Sequence, residues 1–250
     1  MIKEEEKILK KNRKRVEEIE YFMRPTSHPI GIKFYRKGSE EPKSIRPLEY
    51  PVTICQATTM ARVGKRDSEP IMLKKENICC AFSRAVAGFN DWPEDISNGG
   101  RSVGIHFAAK EGFRKAFNDL AVMPPGSVEA IVMGPLFNFS MEPDVILLAL
   151  MPGQVNRFTD GYVWNKGGYI AINFSGMCGV CANTIVKTII EETCALSFPC
   201  IGGRRLGLYQ DHELLGGIHV KFFDTWIDGL HNTEAKGYTF PNTFTLPINN

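Results

Sequence analysis

The chain has no apolar run approaching the roughly 18 residues that a membrane-spanning helix requires. Its opening, "MIKEEEKILKKNRKRVEEIEYF", lacks the apolar core of a secretory signal. Charge of either sign is not in excess, with 30 Lys and Arg against 28 Asp and Glu and a net charge of +2. That balance generates no field that would gather a nucleic acid. Internal repeats and long low-complexity linkers are also missing. The five histidines, His28, His106, His212, His219 and His231, are scattered rather than paired. These absences lead to the expectation of a cytoplasmic protein without membrane or nucleic-acid partners. In that compartment thiols are held reduced, so the seven cysteines point to metal, catalysis or burial rather than to a disulfide framework.

With 43% hydrophobic residues over 250 positions, the chain can bury a substantial core. Residues 3–22 place Ile8, Leu9, Val16, Ile19 and Phe22 on one stripe among dense charge, which predicts an amphipathic helix. "HPIGIKFY" (28–35) alternates as a strand, and Pro29 suits a strand start or an edge. "TICQATTMARVG" (53–64) and "ENICCAFSRAVAGF" (76–89) each set a cysteine at or near the start of a helical stretch of small residues. "VEAIVMGPL" (128–136) and "DVILLALMP" (144–152) are continuous apolar runs bounded by Gly and Pro, as central strands buried on both faces would be. "GQVNRFTDGYVWNKGG" predicts a helix and turn leading into "YIAINFSG" (169–176) as a further strand. A last helix is predicted from Asp211 as N-cap through "HELLGGIHVKFFDTWIDGL", with Gly216 and Gly217 as a point of fracture. The expected fold is α/β or α+β, a single domain with a mixed β-sheet flanked by helices. Its expected parts are an N-terminal amphipathic helix over 1–23, a cysteine-rich domain over 24–232 and an irregular tail over 233–250.

"SGMCGVCANTIVKTIIEETCALSFPCIGGRR" (175–205) holds Cys178, Cys181, Cys194 and Cys200. A C-x-x-C pair at a helix start favours a thiolate, so Cys178 and Cys181 are a candidate redox pair. A thioredoxin-like fold would place that motif after its first strand or two, however, and here some 170 residues precede it. Structural zinc normally shows two close ligand pairs, and the partner pair is missing. Covalent haem requires His after C-x-x-C, and position 182 is Ala. An iron–sulfur cluster accepts thiolates from distant segments. Cys55, Cys80, Cys181 and Cys200 each lie beside small or helix-starting residues, as such ligands do, and Arg204 and Arg205 follow as countercharge.

Further markers are "RPTSHPIGIKFY", "CQATTMAR", "CAFSRAVAGF", "MGPLFNFSMEPDVILLALMPGQVNRF" and "CANTIVKTIIEETCALSFPCIGGRRLGLYQDHEL". On these segments, from about residue 20 to residue 230, the chain resembles the cysteine-rich proteins grouped as the domain of unknown function family 169, found in archaea and anaerobic bacteria. The resemblance falls on Cys55, Cys80, Cys181, Cys200, Gly202 and Arg204. It leaves Cys79, Cys178 and Cys194 outside the pattern, and His219 stands where a proline is expected. It implies a site built from one cysteine of each of four segments and supplies no activity. The functional expectation is an iron–sulfur protein of anaerobic metabolism with a 4Fe-4S cluster on Cys55, Cys80, Cys181 and Cys200. Such a protein would transfer electrons to a redox partner protein or activate a small anionic substrate held by Arg204, with Gly202 and Gly203 offering backbone N–H groups. The alternatives are a thiol enzyme using Cys178 or Cys200 with a histidine such as His212, and a binding module for a tetrapyrrole or other small molecule. Whether the protein is an enzyme, and whether it forms a homo-oligomer, stay open at this stage.

Overall fold

In the segment Val145–Leu150 every side chain is buried, and successive residues point to opposite faces. Val145, Leu147 and Ala149 enter one hydrophobic cluster, whereas Ile146, Leu148 and Leu150 enter another. Full burial contributes about 1.5–3 kcal/mol for each large apolar side chain, so such a strand is stable only with cover on both sides. The computed structural model, which describes residues 2–235, supplies that cover as helices on both faces of a six-stranded sheet.

The strands are β1 (Ile30–Arg36), β2 (Ile71–Leu73), β3 (Val128–Pro135), β4 (Val145–Leu150), β5 (Cys194–Ser197) and β6 (Leu214–His219), in the order β2-β3-β1-β4-β6-β5. The helices are α1 (Ile2–Met23), α2 (Ile54–Val63), α3 (Ala81–Val86), α4 (Glu94–Ser97), α5 (Lys110–Asn118), α6 (Pro152–Lys166), α7 (Lys187–Glu191), α8 (Ile201–Arg205) and α9 (Phe223–Ala235). The architecture is the α+β form of the expected single domain. The sheet is not mixed: every named ladder is antiparallel, and parallel pairing among the described residues is confined to isolated bridges such as Val52 with Ile78. Among the described residues no helix is long and apolar enough to cross a membrane.

On the outer face, α1, α6 and α9 bury Val16, Ile19, Phe22, Phe158 and Trp226. Asn12 fastens α1 by donating to the carbonyls of Phe139 (2.7 Å) and Met141 (3.0 Å). Gln154, in the first turn of α6, donates to the carbonyls of Met23 (2.9 Å) and Arg24 (2.7 Å) and so satisfies the end of α1. On the inner face lie α2, α3 and a six-residue π-helix, Cys181–Val186, that runs on into α7.

Three further sequence expectations are corrected. Residues 169–176 pair in no ladder and form no strand, despite their β-branched and aromatic composition. The segment expected as one helix from Asp211 is β6 followed by a short 3-10 turn and α9. Its two glycines are strand glycines: a Cβ on Gly216 would stand 2.6 Å from Phe158, and one on Gly217 would stand 2.3 Å from Oγ1 of Thr188. They let helices from both faces approach the same strand, a role that resembles a helix break when read from the sequence alone. Finally, α9 continues through Ala235, so the irregular tail does not begin at 233; residues 236–250 of that expectation lie outside the described residues.

Candidate functional site

Thr53 caps α2 through a reciprocal pair, the Gln56 amide donating to Thr53 Oγ1 (3.0 Å) and the Thr53 amide donating to Gln56 Oε1 (2.8 Å). This fixes Cys55 in the first turn. The chain just before α2 is tied to the chain just before α3, because the Val52 amide donates to the Asn77 carbonyl (2.8 Å) and the Cys79 amide to the Val52 carbonyl (3.0 Å). Cys80 is the residue preceding α3, so this tie sets Cys55 and Cys80 side by side.

A second tie joins the remaining cysteines. Gly179 packs so closely on the segment leading to Cys200 that a Cβ there would lie 1.9 Å from the Phe198 carbonyl oxygen, a position only glycine fills. Cys178 holds a left-handed backbone with φ of 50°, which a residue with a Cβ adopts at a cost of about 1–2 kcal/mol. The π-helix begins directly after, its wider turn visible in the Asn183 amide donating to the Cys178 carbonyl (3.1 Å) and the Ile185 amide to that of Val180 (3.1 Å). Strained backbone and π-turns both concentrate at functional sites.

The result is a cavity of about 270 Å³ on the inner face whose lining includes five of the seven cysteines: Cys55, Cys80, Cys178, Cys181 and Cys200. Met177, Phe82, Ser83 and Ser102 complete much of its wall, and Arg101, Ile105, His106, Ile201 and Leu206 lie toward its mouth. Cys55 and Cys200 share a hydrogen bond that lowers Cys200 to about 5, helped by the backbone N–H groups of Gly203, Gly179 and Gly202 and opposed by burial. The same bond, with burial, raises Cys55 well above the usual thiol range. Cys178 is likewise held high, first by its hydrogen bond with Cys181 and then by burial. Burial also raises Cys80, against hydrogen bonds from Ser83.

Behind the Cys55–Cys200 pair lies a buried polar brace. Arg62 of α2 forms a two-pronged ion pair with Glu213, at 2.5 and 3.1 Å, and Glu213 also accepts from the Gln210 amide (2.7 Å). The Arg62 guanidinium lies 4.3 Å over the Tyr209 ring, and the Tyr209 hydroxyl donates to Thr58 (2.9 Å). Thr59 donates to the Gly207 carbonyl, and Gly207 packs against Cys55. These contacts hold the loop after α8 on α2, and with it Cys200 on Cys55.

The four cysteines singled out by spacing and resemblance therefore meet in one cavity, joined by Cys178. Gly202 lines the same cavity, and the Gly202 and Gly203 amides point at Cys200. Arg204 donates to the carbonyls of Gln210 and Glu213 and borders an open groove beside the cavity. Cys79 is exposed, and Cys194 is buried in the outer-face cluster. His212 is exposed and does not line the cavity; the histidine at its mouth is His106, which no sequence signal distinguished. Among the described residues no three His, Cys, Asp or Glu side chains are grouped closely enough to hold a single metal ion.

An uncharacterised protein of Methanocaldococcus jannaschii is 21% identical to the chain over 208 residues, which cover 83% of this chain and 87% of that relative. No solved structure matches. A family profile described as "Uncharacterised ArCR" matches residues 18–229, a span containing all five cavity cysteines, and the chain belongs to this family, the domain of unknown function family 169.

Proposed function

We propose that the inner-face cavity holds an iron–sulfur cluster and that the protein works in electron transfer or in activating a small molecule at that cluster. The observation that carries this reading is the gathering of five cysteines from four separate segments into one cavity that no carboxylate lines. A donor set dominated by thiols, with His106 only at the mouth, suits iron–sulfur ligation. The lack of a close three-residue nest counts against a mononuclear ion but not against a cluster, whose thiolates bind separate irons and have no need to meet at one point. Cys55, Cys80, Cys181 and Cys200 would hold the cluster, which when bound would supply one-electron chemistry. The chain's own residues exclude water with Met177, Phe82 and Ile201, and they direct the Gly179, Gly202 and Gly203 amides toward sulfur. Seven free thiols suit a reducing, cytoplasmic setting.

A second reading has its own observation, since Cys200, lowered by its donors, lines the same cavity as Cys55, an arrangement with the makings of an attacking and a resolving cysteine. The C-x-x-C version of that chemistry has less support, because the hydrogen bond with Cys181 and burial both raise Cys178. Anaerobic purification followed by iron and acid-labile sulfide analysis separates the two: a brown protein with both supports the cluster, and a colourless, metal-free protein with fast Cys200 alkylation supports thiol chemistry.

A further inference from the structure

We propose that the mouth of the cysteine cavity is the docking face for a small acidic electron-transfer protein. This rests on the cluster reading above and adds the partner. The cavity opens beside a groove of about 670 Å³, and the two share His106, Gly176 and Ile201. Phe174 and Phe198 meet along the groove as tilted rings with centroids 5.4 Å apart, and both are exposed. Ile105 and Ile201 stand at the mouth with 78% and 61% of their surface in water. Contiguous apolar surface of this kind marks an interaction site rather than ordinary scatter.

Charge complementarity identifies the occupant. The charged residues lining the cavity and the groove are Arg101, Arg204 and Arg205, with no Asp or Glu in either lining. The whole chain is nearly balanced at 30 positive against 28 negative residues, so a rim of one sign is a local feature. Arg101 is also paired with Asp95 outside the lining, which leaves Arg204 and Arg205 as the larger share of the field. Residues 171–174 are exposed and pair in no ladder, and Phe174 among them lines the groove, so docking displaces no sheet contact. An apolar centre with a cationic rim over a buried redox site suits a brief, salt-sensitive encounter of small area. In it one electron passes from the partner's reduced centre to the oxidised cluster; the partner is oxidised by one electron, the cluster is reduced by one, and no bond forms or breaks.

The test uses the full chain after anaerobic reconstitution and a reduced acidic ferredoxin as probe, with the second-order rate followed by stopped flow. The expected rate falls on the order of 10-fold from low to high salt as the rim charges are screened. Arg205→Glu and Phe174→Glu, both in the groove and outside the cavity lining, should each slow the reaction several-fold with iron and sulfide unchanged. Binding is followed independently by shifts in the ferredoxin resonances on adding the chain as isolated. Should no cluster load, the cluster reading fails while this arm still reports on docking. Rates or shifts insensitive to salt and to both substitutions overturn the proposal, as does a stable dimer of this chain that covers Phe174 and Phe198.

Discussion

The two faces of the sheet use the same strands for different ends. The outer face is covered by α1, α6 and α9, of 22, 15 and 13 residues, packed through Phe158, Trp226 and Phe223. The inner face is covered by α2, α3, α8 and a π-helix, of 10, 6, 5 and 6 residues, with a cysteine at or near each start. Cys194 makes the contrast within one residue type. On the outer face it is a small buried hydrophobe whose thiol is held high by burial alone, whereas Cys200 on the inner face is lowered by Cys55 and by backbone N–H groups, against burial. Burial is common to both, so reactivity is set by the groups that point at sulfur. Long helices make the outer face a scaffold; short ones give the inner face many chain ends, and hence many free amides, in a small volume.

This comparison breaks first at the cysteines. Replacing Cys55, Cys80, Cys181 or Cys200 singly by Ser should remove most bound iron and sulfide and lower the folding stability of the reconstituted protein, since cluster binding is linked to folding. Cys194→Ser and Cys79→Ser should retain iron, and equal losses for Cys194 and Cys200 would erase the distinction between the faces. Next in size is the brace. Arg62→Met leaves Glu213 buried without its partner and should destabilise the fold by about 3–5 kcal/mol in denaturant titration. Replacing both members by apolar residues of similar volume should recover much of that loss.

The glycines of β6 sharpen the comparison at the point where the faces meet. Gly216→Ala presses on Phe158 and Leu150 and should cost about 1–3 kcal/mol through the scaffold alone, leaving iron content per folded protein unchanged.

How much of this was legible depends on where the information resides. β3 and β4 could be read because burial on both faces forces a continuous apolar run, and α1 because one-sided burial leaves a stripe. β6 was not, since "LLGGIH" owes its glycines to Phe158 and Thr188, which are distant in sequence. Residues 169–176 have a strand's composition and no partner strand, and local propensity cannot report a missing neighbour. At the site, Cys55, Cys80, Cys181 and Cys200 were accessible from their helix-starting positions. Cys178 joined them through a left-handed backbone and a π-turn that no periodicity encodes, and the Arg62–Glu213 brace spans 151 residues.

The smallest expected effect concerns His219 at the end of β6. Burial lowers its pKa from the usual histidine range, and its Nδ1 accepts from the Lys221 amide (3.2 Å), so the folded protein prefers the neutral ring. The unfolded chain protonates near pH 6.5, so this contribution is complete above that pH and is lost as pH falls toward and through the lower folded value. Thermal melts between pH 7.5 and 5 should show a decline that His219→Gln makes shallower; an unchanged slope would remove His219 from the account.

Iron K-edge X-ray absorption on the anaerobically reconstituted chain tests the central claim most directly. Thiolate and sulfide ligation at the inner face predicts a first shell of sulfur together with an iron–iron shell, both lost in Cys200→Ser. A shell of oxygen or nitrogen without iron–iron scattering, or a signal unchanged in Cys200→Ser, would contradict it.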